Sequence, residues 1–540
     1  MKATAMIRKH ISHILAEYIL DNPVLTKDLR TRMRGRRAFL IMGGYVLFLA
    51  IVMLISTSIV RSYGAHTHSM IDQNIGQLLF VSLTWTQTIL LALIIPALTS
   101  GALTSEIEKN TMEMMALTRL TPGAIVLGKQ LSGVLYSFML QICSLPLAGM
   151  CIMYGGISPA EVAVTYLLMA VWIFFFASIG VFWSSMFQRS VAATLMSYAN
   201  CGGYLMLTSG SGAAFSFGMI VASHYGGGTH DVHPLAGMNP SIAPLIGLSW
   251  ANICGIHIPL ALIATVLHLA LGALLLFIAV SHVKYHRTER APAIRVMAIF
   301  ITAALTWLIV GDQSIQSVQS DIMALIITAS IVIFAILGIA TSLFATGPVM
   351  SSESPLAYIL SPRKIFKSDL RGGIGFTALW GAIVYGIFGA TFLWASKAFG
   401  IKITHNFWAA YFQCGVSVIA VLVGIAAFGV LISSITSLRR NAVALTILFT
   451  LIIMFGYLIV LAQYQEGISN PRSPIWQLAA FWPITPLASL SSDWMSGMPR
   501  FWWPKQLAWL VVSLVYFGLT AAALSVVPKA LSKYGGVEEE

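Results

Sequence analysis

The chain reads as an all-α polytopic membrane protein of about twelve transmembrane helices, laid out as two tandem six-helix domains. Three observations lead there. Of 540 residues, 58% are hydrophobic and only 9% charged, which leaves too little polar surface to coat a set of soluble domains. Apolar runs near 20 residues recur along the whole chain, each long enough to cross a hydrocarbon core. Basic residues collect between alternate runs, as the positive-inside bias demands.

Residues 1–37 form a basic, amphipathic lead-in. Lys27, Arg30, Arg32, Arg34, Arg36 and Arg37 stand directly before the first apolar run. Such a cluster holds its end of the chain in the cytoplasm and attracts anionic lipid at about 1 kcal/mol per charge. A short helix on the membrane surface fits this stretch. Because the arginines abut a span, they point to a membrane partner and not to nucleic acid. The first run begins near Ala38, too far in and too long for a cleavable signal peptide.

The first domain, 38–284, is expected to hold six spans at about 38–60, 78–103, 130–154, 162–186, 191–208 and 259–283. An even number returns the chain to the cytoplasm. The passage from Ser209 to His257 has apolar pieces too short to cross, broken by Gly226-Gly227-Gly228, Asn239-Pro240 and Pro244, and reads as re-entrant or surface helices. A cytoplasmic linker, 285–295, leads to the second domain, 296–528, with spans near 296–310, 322–345, 375–396, 407–434, 441–463 and 507–528. A tail, 529–540, ends on the cytoplasmic side.

Local pieces of the first domain return in the second, in the same order. Thr99-Ser100-Gly101 with Ser105-Glu106 is echoed by Ala345-Thr346-Gly347 with Ser352-Glu353, and Leu120-Thr121-Pro122 by Leu360-Ser361-Pro362. The offsets stay at about 240 to 250 residues, which is the mark of an internal duplication. With an even number of spans per copy, the two copies share one orientation. On these boundaries all of the 31 Lys and Arg fall inside except Arg61, Lys397, Lys402, Arg472, Arg500 and Lys505.

Between the second and third spans lies a long charged passage, Thr99 to Gln130. Ser105 and Glu108 have capping-box spacing, so a helix is expected to start there. Ile107, Thr111, Met114 and Thr118 would form its apolar side, with Glu106, Lys109 and Glu113 opposite. Thr121-Pro122 reads as an N-cap and first helical position, opening a second helix that runs into the next span.

This passage resembles the cytoplasmic segment after the second span of permease subunits of ABC-2 type ATP-driven exporters. The matching residues are Ser105, Glu106, Glu113, Leu117, Thr118, Leu120, Thr121, Pro122, Ile125, Gly128 and Lys129. Asn22-Pro23-Val24-Leu25 with Lys27-Asp28-Leu29-Arg30 likewise resembles the opening of many such permeases. The resemblance implies that the segment is a coupling helix docking on separate ABC ATPase subunits, two copies of them. Glu106, Glu108, Glu113, Met114, Leu117, Arg119 and Pro122 would make that contact, with Glu353 and Pro362 in the second copy. ATP and Mg²⁺ would be bound by the partner, with no cofactor in this chain. The pathway would run between the halves, with Thr84, Thr88, Ser197 and Asn200 as candidate lining residues. Export across the cell membrane is the implied function, and Asn110 departs from the glycine expected at that point.

The charge pattern bears on the energy source. No Asp, Glu, Lys or Arg lies deep within a predicted span, whereas ion-coupled transporters usually need such groups. His268 is the one ionisable side chain near mid-span, and packing suits it better than proton relay. A secondary transporter or channel is the alternative, separated from an ATP-driven system by whether an ionophore or ATP depletion stops transport. Gly123 to Lys129 fits G-x-x-x-x-G-K, but the next residue is Gln130 and the context is helical, so a phosphate loop is not expected. His66, His68, His224, His230 and His233 could meet outside the membrane to hold a metal, although loop histidines that bind nothing are commoner. No membrane protease or transferase pattern is present. The substrate is not specified by any motif.

Overall fold

The structure is a computed structural model and describes residues 22–64, 75–118, 120–205, 208, 239, 249–283, 291–310, 370–399, 405–435, 445–446, 448–450, 510–511 and 513–522. Among these residues seven helices are long and apolar enough to cross a membrane: Ala38–Ser58, Ile75–Glu108, Pro122–Met153, Pro159–Met186, Leu260–Val283, Ile374–Trp394 and Tyr411–Ser433. They fall on the first, second, third, fourth, sixth, ninth and tenth expected spans. Shorter apolar helices, Ala293–Leu308 and Ser513–Ala522, fall on the seventh and twelfth. The fifth is a helix over 190–205. The eighth, and nearly all of the eleventh, lie outside the described residues. This is a helical, multi-pass membrane protein.

The packing divides the chain into two compact units, Met1–Asn252 with Ile256–Thr288, and Ile253–Gly255 with Glu289–Glu540. In the first unit, α1 (Pro23–Met33) precedes α2 (Arg36–Gly64) and α3 (Ile75–Thr99). Two single turns, α4 (Thr104–Glu108) and α5 (Met112–Ala116), lead to α6 (Pro122–Cys143), α7 (Leu145–Met153), α8 (Pro159–Met186) and α9, residues 190–205. A hairpin of β1 (Trp250–Ile253) and β2 (Ile256–Pro259) then enters α10 (Leu260–Val283).

Helix α8 is the axis of this unit and packs against α3, α6 and α10. Its apolar positions have no preferred side, and residues such as Trp172, Phe176 and Phe182 are buried. By contrast α2 leaves Phe39, Leu40 and Leu54 more than 60% exposed, a surface suited to lipid and costly in water. Helix α8 starts with a complete capping box, Ser158 accepting from the Glu161 N–H and Glu161 from the Ser158 N–H, with Pro159 at the first position.

One short hairpin stands among the helices, and it departs from the expected surface helices only locally. Residues 250–257 were expected to lie in a re-entrant or surface helix, but Cys254 (φ 52°) and Gly255 (φ 84°) both take left-handed backbone and make a two-residue turn. Two adjacent positive φ values match the right-handed twist of paired strands, so the chain reverses there as a hairpin.

In the second unit α11 (Ala291–Val310), α12 (Leu370–Phe399) and α13 (His405–Ile435) pack in sequence order. Trp380 donates to Thr302 Oγ1 at 2.8 Å, and the Arg295 guanidinium lies over the Phe376 ring at 5.0 Å. Arg295 stands near the start of α11, and its burial against an aromatic face follows from that position.

Candidate functional site

The two stretches that carry the family resemblance meet each other at one end of the first unit. Helix α1 lies on α6. Asn22 caps α1 with its Oδ1, accepting from the N–H groups of Val24 and Leu25, and its Nδ2 donates to the Ala124 carbonyl of α6 at 2.7 Å. That approach needs a residue without a side chain on α6. A Cβ on Gly128 would come within 2.9 Å of the Asn22 amide.

Lys129, the next residue, is the centre of the site. Its Nζ lies 2.7 Å from Glu106 Oε1 on α4 and 3.0 Å from Asp28 Oδ2 on α1, and the side chain is only 6% exposed. One cation thus ties three elements together. The Thr111 hydroxyl donates to the other Glu106 oxygen, closing the turn between α4 and α5. Arg32, on the last turn of α1, donates to the Leu98 carbonyl near the end of α3 at 2.8 Å. Burial lowers the Arg32 pKa from its ordinary value, and Asp28 opposes that shift.

The capping box expected at Ser105 and Glu108 does not form. The chain runs from α3 through a tight turn into α4, with Leu103 in helical backbone before Thr104 and no side-chain cap. With backbone already bonded back into the preceding turn, there is no free helix start for Ser105 to serve. Glu108 instead reaches across to residue 190, accepting from the Ser190 N–H at 2.7 Å and the Ser190 hydroxyl at 2.8 Å. It caps α9 from another element. On the α8 side, Ser184 Oγ accepts from the N–H groups of Leu103 and Thr104.

The expected continuous amphipathic helix from Ser105 to Thr118 is also absent. Asn110 has φ 55°, left-handed backbone that ends α4. This position tolerates Asn or Gly, which explains why Asn110 stands where glycine was expected. Beyond it Met112, Met115 and Leu120 turn inward onto the Leu103, Ile125 and Val280 cluster. Met114 and Leu117 face outward, 70% and 88% exposed. Glu113 lies on α5, and Thr121 caps α6 as expected, accepting from the Ala124 N–H with Pro122 first in the helix. Gly123 to Gln130 are helix from end to end, so their backbone has no phosphate-loop geometry.

Helix α3 alone, 25 residues or roughly 37 Å, is long enough to cross a hydrocarbon core of about 30 Å, and α4 and α5 follow it after the turn at 100–103. Arg119, Glu353, Pro362, His66, His68, His224, His230 and His233 lie outside the described residues.

The pathway candidates divide. Thr84 and Ser197 are buried and donate to carbonyls of their own helices, those of Phe80 and Ala193, so the first unit satisfies them internally. Thr88 is buried with its hydroxyl unpartnered, and Asn200 is exposed. His268 is buried, with Trp172 Nε1 donating to its Nε2 at 3.0 Å, the Tyr204 hydroxyl beside the same atom and its Nδ1 against the Ala264 carbonyl. This is a packing hub ringed by Phe175 and Tyr204. The composition pointed to neither Asp28 nor Ser190. Asp28 was legible only as part of the permease-like opening and not as a partner of Lys129, and nothing local marks Ser190 as a capped helix start. No family model matches the chain, and no curated protein matches it.

Proposed function

We propose that the chain is the membrane-spanning permease subunit of an ABC-2 type, ATP-driven exporter, with the 104–120 segment as its docking element for a separate ATPase. Twelve spans in two homologous domains, with both termini in the cytoplasm of a cell-membrane protein, complete this reading. ATP with Mg²⁺ binds in the partner.

One observation carries the reading: an exposed apolar pair, Met114 and Leu117, stands on a segment braced from several sides. Lys129 and Asp28 hold it through Glu106, Ser190 through Glu108, and Ser184 through the α4 backbone. An apolar pair in water is unfavourable unless it is covered, and a brace of ion pairs suits a surface that transmits force. Apolar anchors supply most interface energy, while charges at the rim adjust rate.

The test is the double variant Met114→Glu, Leu117→Glu in the full chain. Copurification of an ATPase, and transport-linked ATP hydrolysis in proteoliposomes, should fall at least about 10-fold, the effect of losing 1.4 kcal/mol at an interface. Unchanged copurification would reject the docking role. Transport abolished by an ionophore but insensitive to ATP depletion would replace the ATP-driven reading with a secondary transporter.

A further inference from the structure

A second cluster of polar side chains lies deep in the first unit, away from the charged end. Ser144 is the single residue that separates α6 from α7, inside the apolar run Pro122–Met153. Its hydroxyl donates to the Gln141 carbonyl at 2.6 Å and accepts from Gln87 Nε2 at 2.9 Å, with the Tyr166 hydroxyl at 2.8 Å. Gln141 Nε2 donates to the Tyr166 carbonyl at 2.7 Å. Gln87 sits halfway along α3, so the cluster lies well within the hydrocarbon depth.

Hydrogen counting shows that the network is incomplete. With the Ser144 hydrogen on the Gln141 carbonyl, Tyr166 donates to Ser144 and Gln87 presents its NH₂. Turning Gln141 would set its oxygen against the Tyr166 carbonyl. The Gln141 amide is thus fixed in orientation, and with Gln87 presenting its NH₂ to Ser144, Gln87 Oε1 and Gln141 Oε1 are left without a donor. The Tyr45 hydroxyl stands next to Gln87 but makes no bond of acceptable geometry. All three side chains are at least nine-tenths buried.

A buried polar atom left open is destabilising, and lipid offers no solvent to relieve it. Buried water is the usual remedy, given two to four polar partners. Here the partners are two carbonyl acceptors, a phenol that can donate or accept, and the remaining N–H of each amide.

We propose that ordered water occupies this cluster in the membrane, donating to Gln87 Oε1 and Gln141 Oε1 and bridging to the Tyr45 hydroxyl. The break at Ser144 is then a hydrated polar site joining α2, α3, α6, α7 and α8. It is independent of what the chain transports and of any ATPase partner.

The experiment uses the full-length protein in lipid nanodiscs, with a cryo-EM map fine enough to resolve ordered water and melting curves for Tyr45→Phe. Tyr166→Phe, which removes a bond the structure shows, sets the scale. The expected result is density within hydrogen-bond distance of Gln87 Oε1, together with a melting midpoint lowered by roughly 2 to 4 °C for Tyr45→Phe. An unchanged or raised midpoint would overturn the proposal, because removing an open hydroxyl from a dry core relieves a penalty. So would a map in which Tyr45 bonds directly to Gln87 with no water between them.

Discussion

Two polar regions of the first unit handle the same problem in opposite ways. The end formed by α1, α4 and α6 concentrates full charges and pairs them: Lys129 between Asp28 and Glu106, with Arg32 on a carbonyl. The mid-depth cluster around Ser144 has no charge at all and leaves two amide oxygens open. Depth is the reason. Near the headgroups a charge can keep partial hydration and a short ion pair, whereas at the bilayer centre a full charge costs several kcal/mol and a neutral amide less. Charge therefore serves to clamp elements together at the edge, and neutral polar groups serve the interior.

The strongest way to break this comparison is Lys129→Met. It leaves two carboxylates facing each other with little solvent, and the expected loss is about 3 kcal/mol of stability. Adding Asp28→Asn and Glu106→Gln to the same chain should recover most of that loss, since the stranded charges are gone. Thermal melting in nanodiscs reads both. If the single variant melts like the parent, the clamp is ornamental and the contrast fails.

A smaller effect separates the two carboxylates of α4. Glu106→Gln weakens charge-assisted bonds to Lys129 and Thr111 and should cost about 2 kcal/mol. Glu108→Gln, at an exposed contact, should leave global stability unchanged and speed amide exchange locally at Ser190. Hydrogen exchange with mass spectrometry distinguishes them, and an equal global loss in both would contradict the inward and outward assignment.

The smallest effect is expected at the turn. Asn110→Ala places an ordinary residue at φ 55° and should cost about 1 kcal/mol, while Asn110→Gly should be neutral. A tolerated alanine would mean that the left-handed turn between α4 and α5 is not required by the clamp.

Legibility differed from residue to residue. Two Ser-x-x-Glu patterns stand in the first unit, Ser105 to Glu108 and Ser158 to Glu161, and only the second caps a helix. Ser158 follows the Gly155-Gly156 turn in extended backbone and has Pro159 after it, so its helix has a true beginning. Ser105 follows a chain that never stopped bonding, which no four-residue pattern reveals. Thr121-Pro122 was readable because cap and proline together determine a start regardless of neighbours. Lys129 was visible as the end of the Ile-x-x-Gly-Lys match and of a nucleotide motif it does not form, but neither pattern marks it as the centre of an ion-pair cluster. Its partners are 101 and 23 positions away in the chain, at Asp28 and Glu106, so nothing local could name them.

By itself the sequence determined that this is a multi-pass helical membrane protein and where seven of its long spans run, because hydropathy over about 20 residues is a sum that survives any arrangement of neighbours. Where Glu106, Glu108 and Lys129 point, which of two equal capping patterns is used, and which buried amides lack a donor were decided only by tertiary structure. Those outcomes depend on bonds between residues far apart in the chain, and each has a partner that local periodicity does not encode.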